Sequence, residues 1–460
     1  MLHIILCGGV GSRLWPLSRL NLPKQFIRLA FESSPFEMTV SRNQALGAEI
    51  CIVGNRENFF HALNQLKRLN IESFSYLIEP VGRNTASAIT LGCLAFAKEN
   101  DLILVTPSDH LIKDKDGYKK AISKGLELAK AGFLVTFGVK PTSPETGFGY
   151  IFVEGNKVTS FKEKPDLQTA KTYLNKTNVY WNAGIFCFRK DIFLAEIEQY
   201  EPKLLAKAKQ ALANAQKHNP PAIAEADMLE MPALSIDKAL FEKSAKVACV
   251  PFPEDIGWSD LGNFDAIYNF YQDDLETVSK IKPILINSNN NLVLNSSRQV
   301  ALIDIEDLII VDSPDALLIV KRGSSYKLRE LYSTIFQLNP KLVENFPRVE
   351  KSWGNYTMLT EEMSYRVIKI EMEPGQSLSA HRHAYREEQW IVVEGQAEVE
   401  LGQDKRLLNE GDWLSVPPGS VHRLKNIGLT RLVIIEVQRG SLLADTDIER
   451  LSDEPIPHLS

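Results

Sequence analysis

The sequence predicts an α/β region with a mostly parallel sheet, then a small β unit, then an all-β C-terminal domain. Three observations predict it. Over roughly the first 270 residues, short apolar runs alternate with helical ones, as strand–helix–strand units do. From about Pro283 to Val320, short β-type runs recur with few helical signals. From about Arg348 onward nearly every run is β-type, and Gly or Pro turns separate many of them.

Taken in order, Ile4-Ile5-Leu6-Cys7 reads as a buried strand, and Ile50–Gly54, Leu102–Val105 and Phe133–Phe137 read as further strands. Ala86–Asn100 and Tyr118–Ala131 read as helices between them. Leu292–Leu294, Leu308–Val311 and Ala316–Val320 make up the β unit. A short helix near Tyr326–Phe336 follows, and Asn339-Pro340 and Phe346-Pro347 punctuate the exit. Turns such as Glu373-Pro374-Gly375, Glu394-Gly395 and Pro417-Pro418-Gly419 divide the last region into runs that suit a small sandwich or barrel, jelly rolls included. No repeat array is visible. The boundaries this implies are 1–275, 276–345 and 346–460.

A net charge of -6 argues against a protein that coats nucleic acid. No apolar segment is long enough to span a bilayer, and the first apolar run is too short for a secretory signal. The five cysteines, Cys7, Cys51, Cys93, Cys187 and Cys249, are odd in number and set among apolar residues. They read as reduced core thiols of a cytoplasmic protein.

The stretch Gly8–Phe26 reads GGVGSRLWPLSRLNLPKQF. It lacks the third glycine of a dinucleotide fingerprint and the G-K-[ST] ending of a P-loop. Strand, glycine turn and basic residue together still fit a phosphate cradle, with backbone N–H groups around the phosphates and Arg13 neutralising charge. A tight turn with surface cations is the alternative. Asp109 follows directly on the strand Leu102–Val105, where open α/β sheets place ligand groups. Asp260, in the glycine-flanked turn Gly257–Gly262, supplies a second acid. Two carboxylates beside a triphosphate suit Mg²⁺.

These residues resemble the sugar-phosphate nucleotidylyltransferases, and within them the mannose-1-phosphate guanylyltransferases. The resemblance covers roughly residues 1 to 340. It rests on the opening stretch, Glu79–Ala86, Thr146–Ile151, Phe161–Pro165 and Trp181–Gly184, five motifs in order. It implies a Rossmann-like domain in which Gly8, Gly9, Gly11 and Arg13 hold the GTP phosphates and Lys24 contacts the transferred phosphoryl region. It also implies that Glu79, Arg83 and Asn84 lie near the guanine and that Asp109 and Asp260 ligate Mg²⁺. Gly149, Glu163, Lys164 and Asn182 would hold mannose 1-phosphate. In that reaction the sugar phosphate attacks the α-phosphorus of GTP. The nucleophile is already anionic, so positioning and charge neutralisation suffice without a general base.

In the last region His381 and His383 are two apart and so share one face of a strand. Glu388 follows in the next β-type run, and His422 completes a His/His/Glu/His set that suits a divalent transition metal such as Zn²⁺ or Co²⁺. These pieces resemble the paired motifs of cupins, and residues from about Arg348 to Asp453 resemble the isomerase domain of type II phosphomannose isomerases. The resemblance implies interconversion of mannose 6-phosphate and fructose 6-phosphate, with Arg386 holding a phosphate or steadying an enediolate. His381 stands where that family usually has Gln. Ala384 and Tyr385 replace histidines, and Gln389 replaces another.

Those departures keep a second reading open, a guanylyltransferase whose cupin only binds or senses a sugar phosphate. An oxidative metal-dependent cupin is a remote third. Glu436 and Lys369 are candidates for the isomerase base, and neither is assigned. The partners are small molecules, with no nucleic acid and no membrane, and a homo-oligomer is an open option.

Overall fold

The computed structural model describes residues 1–451 apart from residues 10, 30–32, 216–219, 274 and 296. Val10 of the glycine-rich opening and Asp453, at the end of the cupin resemblance, lie outside the described residues. The chain divides into two units, Met1–Val343 and a second that begins at Glu344.

The first unit is built on a nine-stranded sheet. Its order is Ser75–Ile78, Glu49–Gly54, Leu2–Cys7, Leu102–Pro107, Val179–Arg189, Leu134–Val139, Val247–Pro251, Lys157–Lys162, Tyr150–Glu154. Val179–Arg189 and Lys157–Lys162 run against the rest. Leu2–Cys7 is parallel to both of its neighbours. From it the chain steps outward to Glu49–Gly54 and Ser75–Ile78, then returns to Leu102–Pro107 on the other side. The carboxyl ends of Leu2–Cys7 and Leu102–Pro107 therefore flank a topological switch point, where such sheets bind ligands.

Both faces of this sheet are covered, so its central strands need no polar alternation: all six residues of Leu134–Val139 are buried. One covering helix, Lys115–Lys130, shows how the sequence places it. Asp114 caps its start by accepting from the Asp116 and Gly117 amides, a contribution of about 1 kcal/mol. Tyr118, Ala121, Ile122, Gly125 and Ala129 recur at helical spacing and form the buried stripe. Fully burying Ile122 contributes roughly 2–3 kcal/mol. All five cysteines are buried, and burial pushes the Cys7 thiol up to about 12.

The small β unit corrects the sequence reading on one point. It is a short parallel coil in which Ile284–Ile286 pairs with Ala301–Ile303 and Leu292–Asn295 with Leu308–Asp312, always 17 residues apart. The corners repeat at the same offset. Asn287 and Asp304 both have positive φ, as do Asn290 and Asp307. Asn287 Nδ2 donates to Asp304 Oδ1 at 2.5 Å. Asn and Asp tolerate this left-handed backbone better than most residues. Two coils give too little self-similarity to register as an array.

In the second unit a six-stranded sheet has the order Arg348–Lys351, Gly354–Glu361, Tyr365–Met372, Leu432–Gly440, Arg386–Glu394, Trp413–Val416. A five-stranded sheet has the order Asp404–Leu408, Ala397–Leu401, His422–Asn426, His381–His383, Ile448–Arg450. Trp390, Ile368, Ile370 and Ile434 from one sheet and Val399 and Leu424 from the other share a single core. This is the expected all-β, cupin-like domain.

Candidate active sites

The first site starts where Leu2–Cys7 ends. Gly9 and Gly11 have φ of 87° and 71°, the left-handed region that glycine enters without steric cost. Gly11 has a second constraint: a Cβ there would lie 2.7 Å from Lys24 Cβ and Cγ. The lysine side chain thus runs over the glycine. Its Nζ reaches Asp109 Oδ2 at 2.7 Å and the backbone carbonyl of Asp260 at 2.9 Å. Three segments far apart in sequence so meet at one ammonium.

Burial alone would raise the Asp109 carboxyl. Lys24, and then His110, outweigh it and hold the carboxyl below its usual range. Burial likewise keeps His110 below its ordinary value, against the pull of Asp109 and Asp260. Asp260 Oδ1 accepts from the Gly262 amide at 2.9 Å, which fixes its turn. The Asp109 carboxylate and the Asp260 backbone carbonyl meet at one cation, with the Asp260 carboxyl in the adjoining turn, and hard oxygen donors of this kind fit Mg²⁺. Arg13 lies in the short helix Ser12–Leu14 and is exposed.

The Glu79 motif lies at the end of the strand Ser75–Ile78. Glu79 donates its amide to the Gly54 carbonyl at 2.8 Å. Its carboxyl is 8% exposed, with Oε1 lacking a hydrogen-bond partner. Burial raises it to about 7. Arg83 does not face a ligand space through Nε, which donates to the Met231 carbonyl at 2.8 Å. Asn84 takes a positive φ of 68° and caps the Thr85 amide with its own Oδ1.

The sugar-phosphate candidates also come together. The Asn182 amide donates to the Gly149 carbonyl at 2.8 Å, and a Cβ on Gly149 would lie 2.6 Å from Glu163 Oε2. Lys164 Nζ lies 3.1 Å from Glu163 Oε1. A chain of rings links this group to the acidic corner. Phe148 packs edge-on against both Trp181 and Trp258, and Trp258 against His110. Sequence reasoning missed one member, Asp237, whose Oδ1 accepts from Asn182 Nδ2 at 2.7 Å.

The second site is inside the cupin-like unit. His381 and His422 are register partners on neighbouring strands. Nitrogens of His381, His383 and His422 all lie within 4.8 Å of one another. His381 Nδ1 contacts the Ser379 carbonyl at 2.7 Å, and His422 Nδ1 the Ser420 carbonyl at 2.9 Å. A carbonyl can only accept, so both Nδ1 atoms carry a proton, and a ring that is neutral then presents its lone pair at Nε2. His422 Nε2 is buried without a hydrogen-bond partner. Burial, then His422, lowers His381 to about 4, which keeps it neutral. Two imidazoles oriented by backbone carbonyls, with a third whose nitrogen lies within 4.8 Å of theirs, are a set that could hold a divalent transition metal.

Glu388 faces the same space: Oε1 is 2.8 Å from His383 Nε2 and Oε2 is 3.5 Å from His422 Nε2. His383 overcomes burial and holds its carboxyl well below the usual range. Arg386 is buried, its Nη1 on the Leu443 and Ala444 carbonyls and its Nε 3.4 Å from Glu388 Oε1. Gln438, given no role from the sequence, donates to both Glu388 Oε1 and Glu436 Oε1 and accepts from Arg366. Glu436 is 5% exposed, and burial, then Glu388, raises it to about 8. Lys369 lies on the other face of its strand and pairs with Glu371 at 3.2 Å.

Comparison with known proteins places both halves. The nucleotidyl transferase family matches residues 2–277, the mannose-6-phosphate isomerase C-terminal family residues 339–453, and a mannose-phosphate isomerase/GMP-like β-helix domain residues 282–334. The xanthan biosynthesis protein XanB of Xanthomonas campestris pv. campestris is 36% identical, across 98% of this chain and 98% of its own. The mannose-1-phosphate guanylyltransferase of Escherichia coli K12 is 34% identical, across 98% of this chain and 97% of its own.

Among solved structures, one from Thermus thermophilus, described as a mannose-1-phosphate geranyltransferase, aligns with a TM-score of 0.63 at 29% identity. It covers 73% of this chain and 98% of that one. The mannose-6-phosphate isomerase of Helicobacter pylori aligns with a TM-score of 0.51 at 36% identity, over 56% of this chain and 99% of that one. No helix among the described residues is long and apolar enough to cross a membrane. The chain belongs to the nucleotidyl transferase family, in the form that ends in a mannose-6-phosphate isomerase C-terminal domain.

Proposed function

We propose that this chain makes GDP-mannose and pyrophosphate from GTP and mannose 1-phosphate, and that its C-terminal unit interconverts mannose 6-phosphate and fructose 6-phosphate. The observation that carries the reading is that one chain has two chemically different sites. One is a lysine between two aspartates at the switch point, and the other is a buried histidine triad.

In the first site Gly8, Gly9 and Gly11 offer backbone amides to the GTP phosphates, and Arg13 supplies a cation from the exposed side. Lys24 meets the transferred phosphoryl group. Glu79 suits the guanine edge, because its buried Oε1 lacks a hydrogen-bond partner and can accept from an N–H donor. Arg83 and Asn84 shape that end through the backbone, and Gly149, Glu163, Lys164 and Asn182 form the sugar side. Mg²⁺, held by Asp109 and Asp260, would neutralise phosphate charge as pyrophosphate leaves.

In the second site His381, His383, Glu388 and His422 would hold Zn²⁺ or Co²⁺, which would polarise the sugar carbonyl. Arg386 adds positive charge beside Glu388. Glu436 faces the barrel interior and Lys369 does not, so the interior carboxyl is the better placed of the two for proton transfer.

Pyrophosphate release from GTP, ATP, CTP and UTP, each with mannose 1-phosphate and Mg²⁺, tests the first half. A preference for GTP of at least about tenfold is expected, and no preference would overturn the guanylyl assignment. Stripping metal and restoring Zn²⁺ or Co²⁺ tests the second. Fructose 6-phosphate should then form from mannose 6-phosphate, and its absence with every metal would leave a binding module.

A further inference from the structure

Asn182 has little left to offer a substrate. Its Oδ1 accepts from Thr136 Oγ1 at 2.8 Å and from the Gly184 amide at 3.1 Å. An amide oxygen has two lone pairs, so these two donors fill it. Its Nδ2 donates to Asp237 Oδ1 at 2.7 Å. The side chain works as a spacer with both ends held by protein.

What it holds is a second carboxyl. Asp237 opens the turn Asp237–Phe241. The preceding segment is pinned to the helix Asn84–Phe96: the Ile236 amide donates to Thr85 Oγ1 at 2.8 Å and the Ala86 amide to the Leu234 carbonyl at 3.1 Å. Burial first, and then the charge of Glu163, raises Asp237 to about 7. Asn182 bridges the two carboxyls: its side chain holds Asp237, and its backbone amide donates at 2.8 Å to the carbonyl of Gly149, the residue over which Glu163 lies. Glu163 in turn reaches over Gly149, where a side chain would collide with it. Two acceptor groups from different elements thus converge where only one was recognised.

We propose that Asp237 is a direct ligand of the hexose ring, paired with Glu163 to accept from neighbouring sugar hydroxyls, and that Asn182 is a positioning residue that sets the Asp237 carboxyl. A carboxyl keeps acceptor oxygen in either protonation state, so a pair of them selects a ligand rich in hydroxyl donors. A hydroxyl removed from the sugar would leave a buried acceptor unpaired, the condition under which such sites discriminate most strongly. The inference rests on the transferase reading above and names the residue by which that site would recognise its sugar.

The test is steady-state kinetics of Asp237→Asn with mannose 1-phosphate and with its 2-, 3- and 4-deoxy analogues. The KM for mannose 1-phosphate should rise at least about tenfold while the KM for GTP stays within about twofold. One deoxy analogue, poor with the wild-type enzyme, should lose its penalty in the variant. Asn182→Ala should raise the sugar KM too, yet add nothing when combined with Asp237→Asn. If Asp237→Asn is inactive, calorimetry reads the same contrast: GTP bound and mannose 1-phosphate not bound supports the proposal, and loss of both overturns it. An unchanged sugar KM, or deoxy penalties equal to those of the wild type, also overturns it. Failure of the wild-type enzyme to use GTP with mannose 1-phosphate would instead sink the underlying reading.

Discussion

The two sites solve opposite problems. At the switch point the acting groups come from segments that follow strands, and Lys24 and Asp109 remain 16% and 20% exposed. A large polyanion can enter there, and the chemistry asks only for cations and alignment. In the cupin-like unit the groups project from strands into the barrel. His383, Glu388 and His422 are exposed by only 2%, 2% and 1%. Buried polar atoms must be paired or held ready for a ligand, and here backbone carbonyls fix two imidazoles in advance. The open site depends on charges meeting and the closed one on lone pairs aimed at a common point.

The comparison can be broken most severely at the closed site. His422→Ala removes one of the three imidazoles of the triad. Metal content measured after purification should fall from near stoichiometric to near zero. Isomerase turnover should fall about a thousandfold, with guanylyl transfer within about twofold of wild type. A variant that keeps its metal would show that the triad is not the ligand set.

A smaller effect sharpens the contrast at the open site. Glu79 holds its proton up to about pH 7 in the fold, against an ordinary value of 4.5. Its folded pKa is raised, so the stability it contributes is fully present below about pH 4.5. That stability is lost as pH rises through about 7, where a buried charge must form. Glu79→Gln should therefore melt above the wild type at pH 8 and level with it at pH 4.5, while weakening GTP by roughly tenfold. A melting difference that ignores pH would rule this out.

Much of this was legible in the sequence because the chemistry there uses residue types that are rare in ordinary strands. Glycines after Leu2–Cys7 and an acid after Leu102–Pro107 mark the carboxyl ends of strands whichever helices follow. His381 and His383 declare one strand face by their spacing alone. Asp237 was not legible, because it sits in a turn whose neighbours, Ile236, Ala239, Leu240 and Phe241, read as core. Its partner lies 55 residues away. Gln438 and Arg366 look like ordinary alternating strand positions until the register sets them side by side. The paired corners Asn287/Asp304 and Asn290/Asp307 were the available signal for the 17-residue coil. Two occurrences did not stand out against ordinary turn chemistry.

The central claim is that one chain carries two separable activities. Its most direct test is a reciprocal assay of guanylyl transfer and mannose 6-phosphate isomerisation in His383→Ala and Asp260→Ala. The account predicts that His383→Ala loses isomerisation alone and Asp260→Ala loses transfer alone, each by at least about a hundredfold. Loss of both activities in either variant would contradict it, as would isomerisation that survives His383→Ala.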